Sequence, residues 1–186
     1  IHENKADSLI AALKAGSGGY MTGIEKYWTR RYDGEVPTLG WYVLDWMASH
    51  LAAPDRSEYE PFRPTREQAS FILRFYELDP RTGRRRYRRA MYSRPKGSGK
   101  SPLLAGIACA EALAEVVPDG WDMNGQPVGR PWVDLRTPWV QLEAVSEDQT
   151  RNAWAPLLEM LREGPAVDAF PGLGVPGVQG DDGAAR

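Results

Sequence analysis

The sequence predicts an α/β protein in which helices flank a parallel sheet, with a helical segment on its N-terminal side. A short glycine-containing loop at residues 97–101 stands between a predicted strand at 86–93 and a predicted helix that begins at Lys100 or Ser101. Other segments repeat apolar residues at spacings of three and four, which is typical of helices with one buried face. Alternation at 139–145 predicts a second strand.

The composition is that of an ordinary globular protein. The 186 residues are 42% hydrophobic and 26% charged, which is enough apolar material for a core. A single cysteine excludes an intramolecular disulfide, and two distant histidines do not suggest a metal site. No apolar run approaches the ~20 residues of a membrane span, so we expect a soluble intracellular protein. The net charge of −2 gives no general argument for nucleic-acid binding.

The chain divides into three segments. Residues 1–36 are interpreted as an N-terminal extension, 37–163 as the first part of a domain, and 164–186 as a loop or frayed end rich in glycine and proline. The apolar face of the first predicted helix comprises Trp41, Leu44, Met47, Ala48 and Leu51. The second helix should begin at Thr65 and end at Asp79-Pro80, with an apolar face of Phe71, Ile72, Phe75 and Leu78.

Two more helices are predicted in the second half of the chain. The third extends to Val117 and carries Cys109, which we expect to be a small core residue. The fourth covers 146–163 and should be kinked or split by Pro156. Thr82-Gly83 is predicted to form a turn, and 118–138 is turn-rich.

The loop carries the residue types that bind phosphate. Gly97, Ser98 and Gly99 let the main chain curl so that its N–H groups converge, and the following helix directs its positive end to the same place. Lys100 supplies a positive charge for the β- and γ-phosphates, and the Ser101 hydroxyl can bind Mg²⁺. The full phosphate-loop pattern has glycine six residues before the lysine, where this chain has Arg94. The alternative is a glycine-rich turn before a helix capped by Ser98 or Ser101.

Arg94 and Gln68 each permit two interpretations. Arg94 is either a solvated residue or an arginine finger supplied to the γ-phosphate from the same chain. Gln68 lies three residues after Thr65, the spacing of a helix capping box. Its amide could instead donate to and accept from the edge of adenine, so the two roles compete for one group.

Positive charge is dense just before the loop. Between Arg81 and Lys100 there are nine arginine or lysine residues and no acid. The run is either a solvated edge strand or a contact to the DNA backbone.

The acid that ATP hydrolysis needs at the end of a buried strand is not evident. Asp45 lies in a helical pattern, Glu143 in an alternating one, and Asp181-Asp182 in a glycine-rich tail. We therefore expect the chain to be an incomplete nucleotide-binding domain that shows negligible ATP turnover by itself.

Five motifs in the same order resemble the large terminase subunit of tailed bacteriophages across residues 37–163. They are Trp41-Tyr-Val-Leu-Asp-Trp46, Pro64-Thr-Arg-Glu-Gln68, Leu78-Asp-Pro-Arg-Thr-Gly-Arg84, Ser93-Arg-Pro-Lys-Gly-Ser-Gly-Lys-Ser-Pro102 and Ala144-Val-Ser-Glu-Asp-Gln-Thr-Arg-Asn152. That family packages viral DNA with an N-terminal P-loop ATPase domain and a C-terminal nuclease domain.

The resemblance implies that Lys100 and Ser101 serve the phosphates of ATP and Mg²⁺, that Gln68 is the adenine-side glutamine and that Arg94 senses the γ-phosphate. It also implies double-stranded DNA, a homo-oligomeric ring, the portal protein and the small terminase subunit as partners, in the host cytoplasm. The nuclease residues of the family have no matching positions in the chain. Two rival functions are a P-loop kinase for a small metabolite and a non-enzymatic nucleic-acid adaptor that uses Arg81–Lys96.

Overall fold

The computed structural model describes residues 36–162 and 164–173. The predicted extension at 1–36 lies outside the described residues except for Val36, and so does the glycine-rich end beyond residue 173. The described part contains five α-helices, one 3-10 helix and two strands. They are α1 (Gly40–His50), α2 (Arg66–Phe75), α3 (Lys100–Leu113), β1 (Val117–Trp121), β2 (Pro127–Arg130), the 3-10 helix Trp132–Asp134, α4 (Glu147–Arg162) and α5 (Ala166–Ala169).

Four of the helices correspond to the four that the sequence predicts, and together they enclose one core. α3 packs against α4, while α1 packs against both α2 and α3. The largest fully buried side chains come from these helices and the segments that flank them. They include Met47, Leu51, Ile72, Leu73, Tyr76, Leu78, Leu103 and Met160. Burial of this apolar surface, at about 25 cal/mol per Å², is the main force that holds the helices together.

α1 and α2 approach each other closely at Gly40. The main-chain N–H of Gly40 is bonded to the Thr38 hydroxyl, which itself donates to the carbonyl of Leu73 at 2.7 Å. A Cβ atom at residue 40 would stand 2.6 Å from the Cα of Leu73. Glycine is therefore required at this crossing because the two backbones are in contact.

The two strands form a hairpin inside the region predicted to be turn-rich. β1 pairs with β2 in antiparallel register, with Val117 opposite Arg130. In the connecting turn the Asp122 carboxylate accepts from the N–H groups of Asn124 and Gln126, each at 2.8 Å, and Gly125 has a φ of +74°. The dipeptide Asn124-Gly125 is a strong hairpin signal that could have predicted this pair of strands.

The predicted strands at 86–93 and 139–145 are wrong for the described part of the chain, because neither segment has strand structure there. Parallel pairing with another strand is not present among the described residues, whose one sheet has two antiparallel strands. The predicted turn at Thr82-Gly83 is confirmed by a φ of +65° at Gly83. Across that turn, Leu78 and Arg85 form an isolated antiparallel bridge that does not extend into a strand. An extended segment needs a neighbour for its backbone groups, and apolar alternation by itself does not supply one.

α4 continues through Pro156 as one helix, so of the predicted kink or split the split does not occur. A proline inside a helix removes one hydrogen bond and costs about 3 kcal/mol. Leu157, Met160 and Leu161 on α4 are all buried, so the packing of this helix against α3 offsets that cost.

Cys109 lies in the core as predicted, with 2% of its surface exposed. Burial raises the pKa of its thiol to about 12. At pH 8 the reactive thiolate is then about one part in ten thousand. We expect a thiol reagent to leave the native chain unlabelled and to label its single cysteine once denaturant is added. Rapid stoichiometric labelling of the native chain would contradict the packing of α3.

No helix among the described residues is long and apolar enough to cross a membrane.

Candidate phosphate-binding site

The glycine-containing loop leads directly into α3. Gly97 and Gly99 have φ angles of +83° and +72°, a region that residues with a side chain rarely adopt. Gly99 is the residue before the first turn of the helix, and a Cβ atom there would lie 2.9 Å from Nε2 of Gln68. Both the backbone angle and the close approach therefore require glycine at position 99.

The side chain of Lys100 turns back across the loop. Its Nζ donates to the main-chain carbonyls of Arg94 at 2.8 Å and Pro95 at 2.6 Å. The Ser98 hydroxyl also donates to the Pro95 carbonyl, at 2.9 Å. The loop is thereby closed into a ring from residue 94 to residue 100, with the ammonium group inside it.

The main-chain N–H groups of Gly99, Lys100 and Ser101, at the start of α3, have no hydrogen-bond acceptor among the described residues. Nor does any side chain of the described part cap the start of α3, so the cap by Ser98 or Ser101 that belonged to the alternative interpretation does not form. Uncapped N–H groups at a helix start, a positive helix end and an ammonium group converge here. This is the combination that binds an anion such as phosphate.

Gln68 performs the structural role and contacts the loop as well. Its Oε1 accepts from the N–H of Thr65 at 2.8 Å, and the Thr65 hydroxyl accepts from the N–H of Gln68, which completes the predicted capping box. Its Nε2 donates to the carbonyl of Gly99 at 3.1 Å and lies 3.5 Å from that of Ser98. Gln68 is 4% exposed, so its amide is held between α2 and the loop.

Arg94 pairs with Glu67, the residue before Gln68 on α2. Its guanidinium also donates to the Ser93 carbonyl at 2.8 Å and lies 5.3 Å from the centre of the Tyr92 ring. The hydrogen bonds from Arg94 lower the pKa of the Glu67 carboxyl, and those to Glu67 raise the pKa of Arg94. In this arrangement the guanidinium of Arg94 is directed to α2.

Ser101 is the second residue of α3, partly buried beside Lys100. Its hydroxyl is the group in the loop that could bind Mg²⁺ together with phosphate oxygens. Among the described residues there is no group of three or more His, Cys, Asp or Glu side chains that could hold a metal ion by itself. Asp45 and Glu143 are both exposed, and Asp181-Asp182 lies outside the described residues.

The basic run divides into paired and exposed residues. Arg85 pairs with Glu111 at 2.8 Å, and Arg86 lies 3.6 Å from the buried carboxylate of Glu77. Arg94 of the same run is exposed and pairs with Glu67. The remaining exposed cations of the run are Arg81, Arg84, Arg88, Arg89 and Lys96. The run is therefore neither uniformly solvated nor wholly available to a polyanion.

Glu111 on α3 is a functional candidate that no sequence motif singles out. Its Oε1 accepts from the Tyr76 hydroxyl at 2.7 Å and from Arg85, and its Oε2 accepts from the Trp132 indole at 3.2 Å. Arg85 also donates to the carbonyl of Val116 at 2.9 Å. Burial raises the pKa of Tyr76 well above its usual range, so the phenol stays protonated as a donor. These contacts join the arginine-rich turn to α3.

Comparison with known proteins finds similarity to two phage sequences. The Gene 13 protein of Mycobacterium phage L5 is 32% identical over 152 residues, and the Gene 13 protein of Mycobacterium phage D29 is 30% identical over 154 residues. Each match covers 69% of this chain. The chain is related to bacteriophage proteins.

The chain spans about a quarter of the length of these phage relatives, since each match covers 25% of the relative. No family model and no solved structure matches the chain. The relationship to phage proteins therefore rests on sequence similarity, and the activity has to be argued from the chemistry of the loop.

Proposed function

We propose that this chain is the ATP-binding part of a phage DNA-packaging motor, the large subunit of a terminase, built on a P-loop fold. The observation that carries the proposal is the loop at 94–100, which closes around the ammonium group of Lys100 at the uncapped start of α3. Similarity to phage proteins supports the viral setting. The five terminase-like motifs supply the link to DNA packaging.

The loop would bind the triphosphate through its own groups. The N–H groups of residues 97–101 donate to phosphate oxygens, and Lys100 exchanges its two carbonyl partners for the β- and γ-phosphates. Ser101 would hold Mg²⁺ through its hydroxyl, and the ion would supply positive charge against the phosphates. Arg94 would leave Glu67 to reach the γ-phosphate, so the ion pair between them opposes that movement.

We expect hydrolysis to depend on residues outside the described part of this chain, including the acid that positions water. The isolated chain should therefore bind ATP without appreciable turnover. In the longer protein, a homo-oligomeric ring around double-stranded DNA would convert hydrolysis into translocation. The portal protein and the small terminase subunit would be its partners in the host cytoplasm, and a nuclease domain would lie elsewhere in that protein.

Titration of the whole chain with a fluorescent ATP analogue and Mg²⁺ tests the proposal. Saturable binding that unlabelled ATP displaces supports it, and failure to bind at millimolar nucleotide contradicts it. Phosphate transfer from ATP to small acceptors would favour the metabolite kinase. Salt-dependent DNA binding without any nucleotide affinity would favour the nucleic-acid adaptor.

The exposed cations beside the loop are the candidate DNA contact. Replacing Arg88 and Arg89 by alanine should weaken binding of double-stranded DNA and flatten the plot of log affinity against log salt by about 2, since each lost phosphate contact removes about 0.9 from the slope. Arg85 and Arg86 are unsuitable for this test because their removal would also break the ion pairs with Glu111 and Glu77.

The matched control removes Arg56 and Arg63, two exposed arginines on the segment between α1 and α2. Arg56 pairs with Glu60 at 2.9 Å, but both side chains are exposed, and an exposed pair of this kind contributes little to stability. It changes the net charge by the same amount as the first pair. Equal losses in the two double variants would mean that DNA responds to total charge and not to this surface. Unchanged affinity in the first variant would remove the DNA contact from the proposal.

A further inference from the structure

We propose that the first turn of α2 is a clamp that sets the shape of the phosphate loop, and that Gln68 positions the loop and does not read adenine. The clamp comprises Glu67 and Gln68. This inference rests on the proposed function, because it assigns how the same loop recognises its ligand. On this inference the loop binds nucleoside triphosphates through their phosphates, and Gln68 does not select the base.

The hydrogen bonds of Gln68 carry the first step. A side-chain amide offers one oxygen and one NH₂ group, and reading the edge of adenine needs one acceptor and one donor from it. Here the oxygen is bonded to the N–H of Thr65 and the nitrogen to the carbonyl of Gly99. The side chain is 4% exposed. Turning to a base would break both contacts and leave the start of α2 and the loop carbonyl unpaired, which is unfavourable for buried polar groups.

The second step is that consecutive residues of α2 hold opposite ends of the loop. Glu67 pairs with Arg94, where the loop begins, and Gln68 bonds to Gly99, where it meets α3. Lys100 then joins the two ends by donating to the carbonyls of Arg94 and Pro95. A displacement of the first turn of α2 would therefore change the distance across the ring in which phosphate binds.

The glycine at position 99 is what makes this contact with Gln68 sterically possible. A Cβ atom on residue 99 would lie 2.9 Å from Nε2 of Gln68. Because glycine has no Cβ, Nε2 can approach within hydrogen-bond distance of the loop main chain. The positive φ of Gly99 places its carbonyl against Gln68 and leads into the first turn of α3. The contact between Gln68 and Gly99 thus holds Gly99 in place, and with it the main-chain N–H groups that would face the phosphates.

The consequence is measurable as loss of affinity that does not depend on the base. Gln68→Met keeps the length of the side chain and removes both hydrogen bonds. It should weaken binding of Mg²⁺ complexes of ATP, GTP and inorganic tripolyphosphate by the same factor, about fivefold to tenfold. A reader of adenine would instead lose affinity for ATP alone.

The matched control is Thr65→Ala, which removes the hydroxyl half of the same capping box but leaves Gln68 bonded to the loop. Both variants should melt at lower temperature than the unmodified chain, because each weakens the start of α2. Only Gln68→Met should weaken binding of the three ligands. The clamp is overturned if the ratio of ATP to GTP affinity changes, or if Gln68→Met binds all three as tightly as Thr65→Ala does.

Hydrogen–deuterium exchange in the chain without ligand separates the clamp from the phosphate function. Amides of residues 97–101 should exchange several times faster in Gln68→Met and at the unmodified rate in Thr65→Ala. Equal exchange in the two variants would overturn the clamp even if nucleotide binds. Faster exchange in Gln68→Met, combined with failure of the unmodified chain to bind any of the three ligands, would preserve the clamp and refute the phosphate-binding function.

Discussion

Replacing Lys100 by alanine is expected to reduce the affinity of the chain for ATP about 100-fold or more. The ammonium group lies inside the ring that the loop forms, where it donates to the carbonyls of Arg94 and Pro95. Each charge-assisted hydrogen bond to a phosphate oxygen contributes about 1.5 to 3 kcal/mol, and about 1.4 kcal/mol corresponds to a tenfold change in affinity. Two such bonds lost together account for the expected decrease, which equilibrium titration with a fluorescent ATP analogue would measure.

Lys96→Ala is the matched control for this experiment. Lys96 belongs to the same basic segment, is exposed, and carries the same charge four residues earlier. Its removal should lower ATP affinity by a small factor that added salt abolishes, because exposed charges act through screened interactions. Equal effects of the two substitutions would show that the phosphates respond to the charge of the segment. Unchanged affinity in Lys100→Ala would refute the assignment of the loop.

Local pattern predicted the helices because each has an internal signal. The Thr65–Gln68 capping box begins α2, and the spacing of apolar residues on α1 places Leu44 and Met47 in the core. The start of α3 follows from the glycine-rich loop that precedes it. These features depend on residues within one or two turns of each other, so one sequence is enough to detect them.

The strands and the partners of the charged residues could not be obtained in that way. Residues 86–93 alternate weakly, but a strand forms only if a second segment lies beside it to accept and donate hydrogen bonds. The sequence does not show whether such a neighbour is present in the fold. The ion pair of Arg85 with Glu111 joins residues 26 positions apart, and that of Arg94 with Glu67 joins residues 27 apart. Such pairs depend on how the helices pack. The sequence alone therefore shows the segment from Arg81 to Lys100 as one uniform basic stretch.

The double role of Gln68 shows the same difference at a single residue. Its spacing from Thr65 identifies the capping box, which uses the side-chain oxygen. The contact of its nitrogen with Gly99 spans 31 positions and needs α2 to lie beside the loop. The sequence prediction weighs the cap against adenine for one amide. The structure confirms the cap and adds a partner for the nitrogen that the spacing from Thr65 does not reveal.

Gly40→Ala is expected to destabilise the chain by about 3 kcal/mol, the upper part of the range for overpacking. A new Cβ atom would stand 2.6 Å from the Cα of Leu73 and 3.1 Å from the carbonyl oxygen of Ile72, and backbone atoms cannot move aside as a side-chain end can. α1 and α2 would have to separate at the crossing that the Thr38 hydroxyl bridges. For a chain of this size the expected fall in melting temperature is about 6 to 12 °C, measurable by calorimetry.

The sign of this effect distinguishes packing from intrinsic preference. Alanine is the better helix former by about 1 kcal/mol, so propensity alone predicts that Gly40→Ala raises stability. Gly172→Ala is the control, because a Cβ atom there would meet nothing within 4 Å. A loss confined to Gly40→Ala would support direct contact between the two helices. Equal melting temperatures for Gly40→Ala and Gly172→Ala would contradict the close contact between α1 and α2. Since α2 also carries the clamp, Gly40→Ala should have a loosened phosphate loop even at temperatures where it remains folded.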